Sequence, residues 1–260
     1  MGKKLMTLAI IQARMSSSRL PGKVLKEIND HPMIYWQLKR ISKAKTISKI
    51  IVATSCSTAD DILVEYLDSI GVSVIRGPLN NVKARFDQVL QNYPFRQFVR
   101  LTADCPLVMP NIIDSIVNEF KRSNLDYLSN NLVPTYPDGL DVEVIRSSSF
   151  LSLNSKKLSR IESEHVTYAL YSRPSEYLVK NFKNEVDLSS MRWTVDYKED
   201  LDFVRKVYGN FKGREDEFDM SDVLGLLVSQ PSLKNKIAGS RRNESLKRML
   251  LGKNSGENNE

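Results

Sequence analysis

Histidine and cysteine are scarce in this 260-residue chain, with two of each. Cys56 and Cys105 lie far apart, in unlike contexts and without CxxC spacing, which excludes a disulfide framework and a thiolate zinc site. Both read as small buried packing residues. His31 and His165 cannot build a histidine-rich metal centre, so any metal would rest on carboxylates, whose oxygens suit magnesium or manganese. Long apolar runs are also missing. None approaches the roughly 20 residues needed to span a bilayer, so no membrane partner is expected. The run LMTLAII is too short, and lacks the small-residue cleavage site, to be a secretory signal; a cytoplasmic protein is expected. The glycine signatures GxxxxGK[ST] and GxGxxG are absent as well.

What is present is an ordinary globular composition, 41% apolar and 27% charged, with a formal charge of +7. Seven Lys or Arg against three Glu fall in residues 231–260, so much of the excess sits in a polar, basic tail. The remainder is mildly basic. It carries no helix-turn-helix, no aromatic-rich RNA-binding strand and no long basic stripe, so no nucleic-acid partner is expected.

Short apolar runs alternate with helical patterns through the first half. LMTLAII, KIIVATS, VSVIRG and QFVRLTAD read as strands buried on both faces. Between them, Met33 to Ile41, Ile62 to Ile70 and Val82 to Leu90 carry apolar residues at helical spacing. This alternation predicts an α/β domain with a mostly parallel sheet and crossover helices. A further helix is expected from Asn111 to Ser123, then a strand in LDYLSNN. The rhythm changes near Asn131. Residues 134–191 read as a small inserted α+β region, before a short strand RWTV and a helix in KEDLDFVRKVYGNF. The expected division is one domain over 1–230 and a tail over 231–260.

Ligands of an open parallel sheet bind beyond the carboxyl ends of its strands. There the first strand delivers ARMSSSRLPGK, with Arg14, Arg19, Lys23, three serine hydroxyls and backbone amides that could surround a polyphosphate. A solvated basic loop is the plainer reading. The fourth strand delivers Asp104, either a turn former or a carboxylate for the divalent metal that accompanies a nucleoside triphosphate. RWTVDYKEDL repeats the pattern: Asp196 is either a helix cap paired with Glu199 or a second metal ligand facing Asp104. In DGLDVEV, Asp138, Asp141 and Glu143 could bind sugar hydroxyls or act as bases, and Asp141 and Glu143 should share one strand face. His165, in ESEHVTY, reads as a substrate contact or a satisfied polar residue. Tyr168, Leu170, Tyr171 and Tyr177 suit either a core or the face of a homodimer.

Five ordered segments, IIQARMSSSRLPGKVL, VRLTADCPL, YPDGLDVEV, EHVT and RWTVDYKEDL, resemble the cytidylyltransferase family that includes spore coat polysaccharide biosynthesis protein F. The CMP-sialate and CMP-Kdo synthetases are more distant kin. The resemblance covers about residues 5 to 210. It implies a Rossmann-like, GT-A-like nucleotidyltransferase domain of three layers, CTP as donor, Mg²⁺ as cofactor and pyrophosphate as leaving group, in the service of surface polysaccharide synthesis. It places Ala13, Arg14, Ser18, Arg19 and Lys23 on the triphosphate and Asp104 and Asp196 on the metal, with Arg14, Lys23 and both aspartates in catalysis. Asp138, Asp141, Glu143, His165 and Arg192 would face a small-molecule acceptor. Val24 stands where the acid-sugar synthetases usually have Asn, and Leu20 where Ile is common, which points to the spore coat branch. Another nucleoside triphosphate, a phosphonate or phosphoglycerate-like acceptor, or a non-catalytic nucleotide-binding protein remain as alternatives.

Overall fold

The structure, a computed structural model, describes residues 6–233 and, beyond them, Arg242, Leu246 and Leu251. β1 (Thr7–Gln12) occupies the apolar run read as the first strand, with Leu8 to Ile11 fully buried. A loop, a two-stranded hairpin of β2 (Glu27–Ile28) and β3 (His31–Pro32), and α1 (Met33–Ser42) follow. Next come β4 (Ile47–Ser55), α2 (Asp61–Ser69), β5 (Val74–Gly77), α3 (Val82–Asn92), β6 (Gln97–Thr102), α4 (Pro110–Lys121) and β7 (Tyr127–Ser129). The later half supplies β8 (Glu143–Arg146), α5 (Ser147–Ser152), α6 (Arg160–Glu164), α7 (Tyr168–Tyr171), β9 (Val179–Asn181), α8 (Lys198–Asn210) and α9 (Met220–Ser229).

Seven of the strands form one sheet, in the order β5-β4-β1-β6-β8-β7-β9. β5, β4, β1 and β6 run parallel, β8 is antiparallel to both its neighbours, and β9 is parallel to β7. Successive side chains of a strand point to opposite faces, and β1 shows what this does. Ala9 and Ile11 face a core that contains Ile34 and Ile41 of α1, Ile113 and Val117 of α4 and Val204 of α8. Leu8 and Ile10 face a second core with Phe86 and Val89 of α3, Phe98 and Phe150. Two cores on either side of one sheet make three layers, as expected. Residues 134–191 contribute β8, β9 and the short helices α5 to α7, and so extend the same sheet.

Three local expectations are corrected. RWTV is not a strand, because only Arg192 pairs, in an isolated bridge with Asp138. Asp141 precedes β8, so it does not share a strand face with Glu143. Cys56 is exposed, whereas Cys105 is buried. Leu170 and Tyr177 are buried in the second core, which decides between the two readings of those residues. Apart from Arg242, Leu246 and Leu251, the tail expected from 231 lies outside the described residues after Leu233. Among the described residues, no helix is long and apolar enough to cross a membrane.

The segment from Met191 to Asp196 is held without being a strand. Asp138 N donates to Met191 O at 2.9 Å, Trp193 N to Asp138 O at 2.6 Å, and Val195 N to Asp104 O at 2.8 Å. This contact is close enough to require glycine at 139. Gly139 has φ of +107°, and a Cβ there would stand 2.5 Å from Thr194 N and 2.6 Å from Trp193 C. Gly139→Ala should therefore cost about 2 kcal/mol or more, combining strain at positive φ with backbone overlap. Thermal unfolding should show it as a fall of about 4–8 °C in Tm.

Candidate active site

Lys23 stands at the centre of the site. Gly22, in the left-handed region, turns the loop after β1 so that the chain enters a short 3-10 turn at Lys23. The lysine is only 8% exposed. Its Nζ donates to Val195 O at 2.7 Å, Asp196 Oδ1 at 2.9 Å and Asp104 Oδ2 at 3.1 Å. Burial opposes its charge, but Asp104 and Asp196 outweigh it and raise the pKa above the ordinary lysine value. Reciprocally, burial works against both carboxylates, yet Lys23 holds Asp104 and, with Arg19, Asp196 below the usual carboxylate range. All three groups are charged at neutral pH.

Arg19 reaches Asp196 Oδ1 at 2.7 Å from the same loop. Arg14 does not join them: it is exposed and lies outside the cavity described below. Ser18 is likewise exposed, and Ala13 is buried with its amide donating to Ala53 O in the sheet. Several loop amides are already used, since Met15 N donates to Asp60 Oδ1 and Gly22 N to Met15 O. The loop is thus a braced turn that presents Arg19 and Lys23. Asp60, 1% exposed, also accepts from Thr54 Oγ1 and Ser55 N, and so ties the loop to the end of β4. Nothing in the sequence marks this long-range contact.

Arg192 was expected on an acceptor, but the structure buries it behind the site. Its Nη1 donates to Asp138 Oδ2 at 2.9 Å, its Nη2 to Asp196 Oδ2 at 3.0 Å, and its Nε to Asp200 Oδ1 at 3.1 Å. It is 6% exposed and does not line the cavity. Asp200, fully buried, also accepts from the amides of Asp196 and Tyr197. The carboxylate that closes the start of α8 is therefore Asp200, not Glu199. It fixes the backbone of Asp196 while Arg192 fixes its side chain. The sequence reading missed Asp200, although a carboxylate three residues into a helix is a recognisable N-terminal signal.

Beyond Asp104 and Asp196 opens a cavity of about 490 Å³. Asp138, Asp141, Glu143 and His165 all line it, together with Thr167 and Tyr171. Glu143 is committed at its base, where it accepts from Tyr127 Oη at 2.7 Å, Thr167 Oγ1 at 3.0 Å and the Arg100 guanidinium. His165 Nε2 is enclosed and has no hydrogen-bond partner among the described residues. Burial lowers its pKa, so its imidazole is neutral at pH 7. Burial, then the neighbouring Asp141, push Asp138 up to about 6. Burial raises Asp141 too, against the pull of Arg242.

Arg242 was unforeseen. It comes from the tail, yet it pairs with Asp141, donates to Tyr136 O at 3.2 Å and lines the cavity with Leu246. The sequence marks the tail only as polar and basic, and no motif there points to a site.

Two oxygen donors are suited to a hard divalent cation that keeps waters and takes its other ligands from phosphate, as Mg²⁺ commonly does. Among the described residues no three His, Cys, Asp or Glu cluster around a metal position. Asp104 and Asp196 therefore fit a metal that arrives with its substrate better than a cage built by the protein alone.

A sequence model described as cytidylyltransferase matches residues 8–216 of the chain. The chain belongs to the cytidylyltransferase family. Spore coat polysaccharide biosynthesis protein SpsF of Bacillus subtilis is 29% identical over 231 residues, covering 86% of this chain and 95% of its own. A solved cytidylyltransferase from Leptospira borgpetersenii superposes with a TM-score of 0.84 at 29% identity, over 90% of this chain and 99% of that one. A CMP:2-keto-3-deoxy-manno-octonic acid synthetase, solved in complex with CTP, has a TM-score of 0.61 at 17% identity over 79% and 99% of the two chains. At that identity it shows the shared Rossmann-like nucleotidyltransferase fold. This cytidylyltransferase is thus a CTP-dependent nucleotidyltransferase by family.

The site of this cytidylyltransferase also carries a pH signature. Asp104 and Asp196 have folded pKa values below their ordinary 3.8. The stability they confer is complete above that value and declines as pH falls through the folded values. Asp196→Asn should consequently lose less Tm than the wild type between pH 4 and pH 2, as read by thermal melts in matched buffers.

Proposed function

We propose that this protein transfers CMP from CTP to an oxygen of a small sugar, sugar acid or related acceptor, with release of pyrophosphate, for the synthesis of a surface polysaccharide. One observation carries the reading: a buried lysine from the first strand's exit loop, bonded to two aspartates from distant segments, beside an arginine and a cavity with further polar groups. Cations placed there neutralise phosphate charge, and carboxylates placed there attract a divalent ion. Neither is needed for a core.

In this reading Lys23 and Arg19 hold the β- and γ-phosphates, Lys23 as a point charge and Arg19 through its planar fork. Arg14 and Ser18, exposed at the mouth of the loop, join as the triphosphate enters. Asp104 and Asp196 would hold Mg²⁺, which when bound supplies neutralisation of phosphate charge. Lys23, now bridging the two aspartates, is free to turn toward pyrophosphate as negative charge grows there. Asp138, Asp141 and the neutral His165 face the acceptor and orient its hydroxyls. Arg192 holds Asp138 in place from behind, and Glu143, fixed by Tyr127, Thr167 and Arg100, forms part of the same wall. Catalysis comes from positioning and charge stabilisation, so no covalent nucleophile is required. The buried, uncharged Cys105 fits this, since burial and then Asp104 raise its pKa well above the ordinary thiol value.

The domain of residues 1–230 is proposed to act as one unit, with 134–191 as its acceptor-facing part. SpsF, a polysaccharide biosynthesis protein by name, supports the pathway class, and the absence of a membrane-crossing helix among the described residues is compatible with a cytoplasmic enzyme working without a nucleic-acid or membrane partner. A homodimer is left to direct measurement of mass in solution.

A pyrophosphate-release assay with each of the four nucleoside triphosphates and a panel of sugar, sugar-acid, phosphonate and phosphoglycerate acceptors tests the proposal. CTP should be the preferred donor. CTP binding with no release from any acceptor would favour a sensor. With the acceptor found, Asp104→Asn and Lys23→Met should each lower turnover by about 10² to 10³, the usual effect of removing one electrostatic contributor. Near-normal turnover by either variant would remove that residue from the mechanism. Arg242→Ala should change the KM for the acceptor and leave that for CTP unaltered.

A further inference from the structure

Asp104 stands in the loop between β6 and α4, and the main chain around it is held from outside at alternate carbonyls. Gln37 Nε2 donates to Thr102 O at 2.8 Å. Asp104 O accepts from Val195 N at 2.8 Å and from Thr194 Oγ1 at 3.1 Å. Tyr208 Oη donates to Pro106 O at 2.8 Å, and Arg40 Nε to Val108 O at 2.8 Å. Gln37, Arg40 and Tyr208 have no exposed surface and stand outside the cavity. What they do for the site, they do through the loop.

Burying polar side chains is unfavourable unless each is bonded. Gln37 meets that condition only in part, since its Oε1 is enclosed and has no partner among the described residues. Arg40 is a buried cation that donates to the carbonyls of Val108, Glu215 and Phe218. Apolar side chains of like shape would fill these places without desolvating a polar group. The polar ones are explained by the carbonyls they hold.

Those carbonyls flank a carboxylate under strain of charge. Asp104 and Asp196 bond the same ammonium, so two negative charges stand close together with one cation between them. Like charges repel. In the proposed reaction Lys23 turns toward pyrophosphate, and the place of Asp104 then depends on its main chain, whereas Asp196 keeps Arg192 behind it.

We propose that Gln37, Arg40 and Tyr208 are positioning residues that keep Asp104 opposite Asp196, so that both carboxylates can take one divalent ion when Lys23 leaves them. α8 makes their spacing a property of a single helix. Asp200 in its first turn holds the amide of Asp196, and Tyr208, about 12 Å further along the axis at 1.5 Å per residue, holds Pro106. α1 fixes both flanks of the loop, through Gln37 on Thr102 and Arg40 on Val108. The inference rests on the reading that Asp104 and Asp196 hold Mg²⁺ alongside CTP.

Calorimetric titration of the full-length protein with CTP, once in Mg²⁺ and once in EDTA, tests it. The wild type should bind CTP more tightly in Mg²⁺. Tyr208→Phe removes one oxygen and keeps the ring that packs against Trp36 and Phe218, and Gln37→Met keeps an unbranched side chain of similar length. Each should cut the Mg²⁺-dependent gain in affinity by about tenfold, the low end for outer partners of metal ligands, and leave affinity in EDTA within about twofold of wild type. In EDTA Lys23 still holds Asp104, so the clamp is not called upon. Retention of the wild-type gain by either variant would overturn the proposal. Parallel loss in Mg²⁺ and in EDTA would overturn it too, by making these side chains supports of the fold at large. Gln37→Met decides the matter should Tyr208→Phe fail to fold. Asp104→Asn tests the underlying reading separately: if it keeps the wild-type gain, or if Mg²⁺ adds nothing to CTP binding by the wild type, the metal assignment itself falls.

Discussion

The buried ammonium of Lys23 is the constraint around which the site is arranged. A charge enclosed to this degree is tolerated only when opposite charge and hydrogen-bond acceptors surround it. Here they come from Asp104, Asp196 and the carbonyl of Val195. Those partners belong to segments more than 80 residues from the lysine along the chain. To satisfy one side chain, the fold must bring together the exit of β1, the exit of β6 and the stretch before α8. The close contact of Gly139 with Trp193 and Thr194, and the bonds of Val195 N and Thr194 Oγ1 to Asp104 O, hold them there.

The same arrangement would suit the proposed nucleotide. With the two aspartates bound to Lys23 and Arg19, opposite charges are paired and little net field remains. In the proposed reaction a nucleotide arriving with its metal would offer each group a partner of the same kind: phosphate for the cations, a divalent ion for the carboxylates. Arg192 and Asp200 form a frame behind the site, bonded to one another, with Arg192 also holding the side chains of Asp138 and Asp196 and Asp200 the amide of Asp196.

The wall of the cavity formed by Asp138, Asp141 and His165 follows a different rule. Its carboxylates sit in a burial-dominated environment that raises their pKa values, and its histidine is neutral. Such groups recognise hydroxyls by hydrogen bonds more than by charge. Arg242 supplies the main counter-charge to Asp141, and it comes from the tail, beyond the part of the chain that the family model matches. Lys23, Asp104 and Asp196 thus lie in the residues that the family model matches, and Arg242 lies beyond them.

By itself the sequence determined the parallel sheet, because runs such as Leu8 to Ile11 are apolar at every position and only a strand covered on both faces buries them all. It also singled out Arg19, Lys23, Asp104 and Asp196, which stand at strand exits or helix starts that local pattern reveals and which the structure brings together. Only the tertiary structure decided which of those charges meet. Arg14 and Arg19 are alike in sequence, yet one is exposed outside the cavity and the other pairs with Asp196. Arg192 opens the motif RWTVDYKEDL, yet three carboxylates claim it. Asp60, through Met15, and Arg242 act through contacts that no local pattern encodes, for partners distant in sequence are chosen by packing, and packing exists only once the sheet has closed over its two cores.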